Sequence, residues 1–238
     1  MTFLRTALLA LVLAISSPAW CQQGALPSPT DQDAKLSQML VEGLRLTQSK
    51  RPSEAIPYFD KVAASYEERF KDKNTRFFSA RTLTESLFYT LEAAGTNKSG
   101  VIVVSFNWGS AYYLKGYALL DLGRIPEAKS SLQRAIALSP RNAQFLSELG
   151  HVYQLEKDWP TALQEFQLAE AAAKEFSPPN ARDAELARAW RGMGYVFVEL
   201  KRFDDAEKMY RQCLELNKND ATAMSELRYV QSVKSKAR

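Results

Sequence analysis

Cysteine and histidine are nearly missing from this chain. Among 238 residues there are two cysteines, Cys21 and Cys213, and a single histidine, His151. A lone histidine excludes multi-histidine metal sites, and no cysteine pair stands at zinc-binding spacing, so no metal is expected. A glycine-rich phosphate loop is also lacking, and no serine or cysteine has a base partner in a recognisable motif, so neither a cofactor nor an enzyme is expected. Acidic residues such as Glu148, Glu156, Glu165 and Glu170 are scattered at helical spacing among Lys and Arg, which reads as solvated helix faces. An excess of one charge is absent: 31 Lys and Arg stand against 27 Asp and Glu, a net +4, or +3 once Arg5 is lost. Phosphate binding needs basic residues concentrated on one face, so no nucleic-acid partner is expected. There is no low-complexity tract, and 46% hydrophobic with 24% charged residues is ordinary for a folded domain.

What is present begins with a leader. Arg5 is a positive n-region, Ala7 to Ile15 is an unbroken apolar run, and Ser16, Ser17, Pro18 and Ala19 are small residues of the kind a signal peptidase admits. The run is too short to cross a bilayer. Residues 1–21 therefore read as a cleavable signal peptide, cut after Cys21 with Ala19 and Cys21 at the small positions, or alternatively after Ala19. The expected product is periplasmic or secreted, without membrane insertion. Acylation of Cys21 would make it a tethered lipoprotein, but Trp20 stands where lipoprotein signals place a small residue. A chain cut after Cys21 keeps only Cys213, which suits an oxidising compartment if that thiol is buried. Residues 22–33, rich in Gln, Pro, Ser, Thr and Asp, read as a flexible linker, with Thr30 and Asp33 as a capping pair for the first helix.

From residue 34 onward one interval recurs. Gly43 and Ala55, Gly116 and Ala128, Gly150 and Ala162, and Gly194 and Ala206 are each twelve apart, and Gly116 and Gly150 are separated by thirty-four. A fixed period of that length is the signature of stacked helical hairpins. Pro52, Pro126 and Pro160 open second helices, where a missing amide proton costs nothing. Gly123 ends a first helix. Repeats fall at about 36–69, 109–142, 143–176 and 187–220, with a divergent unit at 71–108 and a capping helix at 221–233 that is N-capped by Asn219 or Asp220. Within the divergent unit a helix is expected over Thr75 to Ala94, while Val101 to Val104 fits a strand or a helix start. Ten extra residues at Phe176 to Glu185 are expected to form a connecting loop. Small residues recur because paired helices approach closely only where one lacks a side chain, so the glycines are expected opposite the alanines or the adjoining repeat.

These residues resemble the tetratricopeptide repeat family. The third unit carries Leu146, Leu149, Gly150, Tyr153, Ala162 and Phe166. In the fourth, Trp190, Met193, Gly194, Phe197, Ala206 and Tyr210 take the same slots. The second unit has Tyr112, Gly116, Leu119, Ala128, Leu132 and Pro140, with Lys115 in a leucine slot, and the first has Met39, Glu42, Gly43, Leu46, Ala55 and Phe59. The resemblance implies an all-α fold of hairpins stacked as a short right-handed solenoid with a concave inner wall. It implies a non-catalytic scaffold that binds a protein or peptide partner, here expected in a bacterial envelope. By register it places Ser110, Tyr113, Tyr117 and Leu120, then Gln144, Ser147, His151 and Gln154, then Arg188, Arg191, Tyr195 and Val198 on that wall. A groove of tyrosines, amides and two arginines suggests a guest with a carboxylate at the arginine end. The Lys and Asn arrangement that chaperone-binding members use is absent, so that partner class is not implied.

Overall fold

A computed structural model describes residues 31–72, 74–94 and 100–236. The leader and Thr30 lie outside the described residues. The first hairpin is α1 (Asp31–Gln48) with α2 (Pro52–Arg69), and the second is α4 (Asn107–Asp121) with α5 (Ile125–Leu138). The third pairs α6 (Ala143–Leu155) with α7 (Trp159–Phe176), the fourth pairs α8 (Pro179–Glu199) with α9 (Phe203–Leu216), and α10 (Ala221–Lys236) lies on α9. Between the first two hairpins stands an insertion of β1 (Thr75–Ala80), α3 (Leu83–Ala94) and β2 (Gly100–Ser105). Because α2 packs directly on α4, the stack runs on past the insertion.

The hairpins turn by one device. Arg124 N donates to the Leu119 carbonyl at 2.9 Å and Gly123 N to the Leu120 carbonyl at 2.9 Å, with Gly123 left-handed at φ 69°. This double bond returns two orphan carbonyls of the helix end to partners. Lys50, Lys157 and Lys201 take the same place in the other hairpins at φ 60°, 59° and 58°. The second helices α2, α5 and α7 start on proline, and in α7 Asp158 also caps, accepting from Thr161 N at 3.2 Å; the first helix α6 is capped by Asn142 through Phe145 N at 3.2 Å.

Packing within each hairpin corrects the expected pairing of glycine with alanine. A methyl built on Gly43 would meet Phe59 at 2.5 Å, on Gly116 Leu132 at 2.8 Å, on Gly150 Phe166 at 3.0 Å, and on Gly194 Tyr210 at 2.7 Å. Each glycine therefore makes room for the large side chain sixteen residues on, one helical turn beyond the alanine. Gly116 also comes near its alanine, at the Ala128 carbonyl. Ala55, Ala128, Ala162 and Ala206 are fully buried beside these large residues.

Three further expectations change. Thr75 to Ala80 is a strand, not the first half of a helix, and it pairs in parallel with β2 from Thr75 against Gly100 to Ala80 against Ser105. Thr82 starts α3, accepting from Glu85 N at 3.1 Å, while the Glu85 carboxylate accepts from Arg81 N at 2.7 Å. The ten extra residues at Phe176 to Glu185 form no loop, because α7 runs to Phe176 and α8 begins at Pro179, so both helices are lengthened. Finally, Asp31 to Asp33, placed in the linker by composition, are the first turn of α1. Asp33 is buried there, accepting from the Tyr66 hydroxyl at 2.6 Å.

The insertion is fastened to the later hairpins by buried polar and aromatic contacts. Arg81 bridges Glu85 at 2.9 Å and Glu185 of α8 at 2.6 Å. Phe88 meets Phe176 edge-on at 4.8 Å, and the Ser139 hydroxyl donates to the Ser79 carbonyl. Most of the hydrophobic core lies in two clusters along the stack, one from Leu36 to Val152 and the other from Ala143 to Val230.

Candidate functional site: the concave groove

Helices α4, α6 and α8 present successive turns to one groove of about 730 Å³. Its lining includes Tyr117, Leu120 and Asp121 from α4, Ser147, Glu148, His151, Gln154 and Leu155 from α6, and Arg188, Arg191, Gly192 and Tyr195 from α8. Spacing of three and four along each helix puts these residues on one face. Phe166 of α7 also lines the groove, and Thr222 of α10 stands at its far end.

Seven of the nine principal residues placed on the wall by register line this groove: Tyr117, Ser147, His151, Gln154, Arg188, Arg191 and Tyr195. Tyr113 and Gln144 lie elsewhere. Tyr113 is buried, stacked on Phe145 at 4.9 Å, and its hydroxyl accepts from Gln144 Nε2 at 3.0 Å. Burial raises the Tyr113 hydroxyl above its ordinary range, so it stays protonated. Of the three secondary positions Leu120 lines the groove, while Ser110 is buried and Val198 lies outside the lining.

The aromatic part of the lining is open. Tyr117 is 39% and Tyr195 45% exposed, and Leu155 adds a 49% exposed apolar side chain. Tyr195 leans on Trp159 with ring centres 6.2 Å apart. Partial burial pushes its hydroxyl above the ordinary range, with Glu199 and Glu226 adding to the effect.

Both arginines are already occupied. Arg188 is paired with Glu148, whose carboxylate is buried, and Arg191 is paired with Asp220. Asp220 also caps α10, accepting from Ala223 N at 3.0 Å. The expected reading of Glu148 as a solvated face is thereby corrected: it is 3% exposed and neutralises the groove from within. No local pattern shows these pairings, because Glu148 and Arg188 are forty residues apart and Asp220 is identifiable only as a cap. Asp121, Leu155, Gly192 and Thr222 were also missed. Asp121 and Leu155 repeat at thirty-four residues and were open to detection by that period.

A tetratricopeptide repeat family model matches residues 141–219, and a second, described as TPR repeat, matches residues 116–156. Among curated relatives, anaphase-promoting complex subunit cut9 of Schizosaccharomyces pombe is 32% identical over 110 residues, 46% of this chain and 16% of that protein. Thus the chain spans about a sixth of that relative's length. Among solved structures, pilF of Pseudomonas aeruginosa matches with a TM-score of 0.60 at 15% identity, over 87% of this chain and 72% of that one. A MamA double mutant matches with a TM-score of 0.55 at 16% identity, covering 87% of each chain. At these identities the two structures speak for the fold. The chain carries tetratricopeptide repeats: the two family models together match residues 116–219, from within α4 to beyond the end of α9, and the array is all-α. Repeat arrays of this kind serve as interaction scaffolds and are in general not catalysts.

Proposed function

We propose that this chain is a non-catalytic adaptor of the bacterial envelope that holds a peptide or a segment of a partner protein in the concave groove. One observation carries the reading: Tyr117, Leu155 and Tyr195, all well exposed, line the same 730 Å³ concavity between rigid helices. Exposed aromatic side chains gathered in a concave site are typical of binding anchors, since they offer large contact area at small entropic cost. Export rests on the leader at residues 1–21 and gives a periplasmic or secreted product. A membrane-tethered lipoprotein subunit of an envelope or pilus assembly is the alternative if Cys21 is kept and acylated.

Two measurements test this. The mass of the mature N-terminus separates cleavage after Cys21 from acylation of Cys21. A pull-down from envelope extract with the mature chain, repeated with Arg191→Ala and Tyr195→Ala, tests the groove, and the expected result is loss of the captured partner in the Tyr195 variant. Capture unaffected by both substitutions removes the groove from the account.

A further inference from the structure

The charge left over in the groove is negative. Arg188 and Arg191 are each neutralised by a carboxylate of the chain itself, Glu148 and Asp220. Asp121, exposed at the end of α4 and lining the groove, makes no ion pair among the described residues. With both guanidinium charges offset by carboxylates of the chain itself, the net attraction left for a guest carboxylate is small, and the uncompensated charge is that of Asp121.

Hydrogen bonding points the same way. Gln154 Nε2 donates to the Gly192 carbonyl at 3.0 Å, so the amide oxygen is the atom that lies 3.3 Å from His151 Nδ1. An amide oxygen only accepts, so Nδ1 is the donor in this contact, and in the neutral ring that leaves Nε2 as the acceptor. His151 lines the groove, and in that neutral tautomer its remaining nitrogen offers an acceptor. Ser147 in the same wall is fully buried, and its hydroxyl has no hydrogen-bond partner among the described residues. A buried hydroxyl without a protein partner beside a cavity is open to a ligand atom or a water.

Resting on the groove reading above, we infer that the guest is a segment of a partner protein that brings a lysine or arginine side chain into the groove. Its charge meets Asp121, its N–H groups meet the acceptor at His151, and its aliphatic stem packs on the exposed rings of Tyr117 and Tyr195. Tyrosine faces attract a cation as well as an alkyl chain, so the aromatic and acidic parts of the lining select the same residue.

The test is selection of randomised displayed short peptides on the immobilised full chain, followed by titration of synthetic versions of those recovered. The expected result is a recurrent lysine or arginine, whose exchange for glutamate weakens binding by about tenfold or more. Asp121→Asn, an exposed change at a helix end, is expected to weaken the same peptide severalfold while leaving the melting temperature unchanged. Acidic peptides that are lost with Arg188→Ala or Arg191→Ala would overturn the cationic guest yet leave the groove reading standing. Recovered peptides indifferent to Tyr117→Ala and Tyr195→Ala, or no recovery at all, would overturn both.

Discussion

The ring of Phe166 fills the space above Gly192. A methyl on that glycine would stand 2.3 Å from the ring, against 3.0 Å for a methyl on Gly150 on the same ring. Phe166 is thus wedged between a glycine of its own hairpin and one of the next, and because it is 98% removed from solvent its ring has nowhere to turn. The contact couples α6, α7 and α8 at the floor of the groove.

That wedge ranks two glycine substitutions. Alanine recovers about 1 kcal/mol of helix propensity at either site, and overpacking a tight contact costs about 1–3 kcal/mol. Gly150→Ala is expected to be close to neutral. Gly192→Ala is expected to lower the melting temperature by several degrees, at about 2–4 °C per kcal/mol for a chain of this size. Thermal unfolding followed by circular dichroism checks the order, and equal melting temperatures would contradict it.

The turn residues offer the opposite change. Lys157 and Lys201 sit at φ 59° and 58°, where an L side chain crowds its own carbonyl and glycine does not. Lys157→Gly and Lys201→Gly are each expected to stabilise the chain by about 0.5–1 kcal/mol, after the extra freedom glycine gives the unfolded state. Gly123→Ala, at φ 69°, is expected to destabilise it. Chemical denaturation of the three variants measures all three signs.

Acid acts on the last helix. Glu207 of α9 is held by Lys234 of α10 and by Arg211, which depress its carboxyl from the ordinary 4.5 to about 2. A carboxyl lowered in the folded state stabilises it above the ordinary carboxylate range, and that contribution is lost as pH falls towards about 2. Glu207→Gln is expected to lower stability at neutral pH and to flatten its decline in acid. A pH series of melting temperatures for both chains shows whether the two curves converge at low pH, as this requires.

Cys213 is expected to be chemically silent. It is fully buried, its thiol donates to the Ala187 carbonyl at 3.5 Å, and burial pushes its pKa up to about 12. Thiolate is the reactive form, so almost none exists at neutral pH. A thiol reagent should label the chain beginning at Gln22 only after denaturant is added, and rapid labelling of the native chain would refute this.

The sequence reading succeeded where information is local or periodic. The Gly and Ala intervals recur in all four hairpins, and Pro126, Pro160 and Gly123 mark helix ends because each acts within its own turn. It failed where the partner is distant. Thr75 to Ala80 is a strand because Gly100 to Ser105 lies beside it, and no window around Phe78 contains that neighbour. The capping box of Thr82 and Glu85 was there to be read, and it would have moved the start of α3 past the strand. In the groove, register carried over from the repeat placed Tyr117, His151 and Tyr195 together. Which arginines remained free was decided by Glu148 and Asp220, forty and twenty-nine residues from their partners, beyond the reach of any local pattern.

The central claim is that partners bind the inner wall. A photoreactive residue placed at Tyr195, in the groove, and in a second chain at Leu168 of α7, 43% exposed and outside the groove lining, tests it in cells. The account predicts a cross-linked partner from position 195 and none from position 168. A cross-link from position 168 with none from position 195 would contradict it.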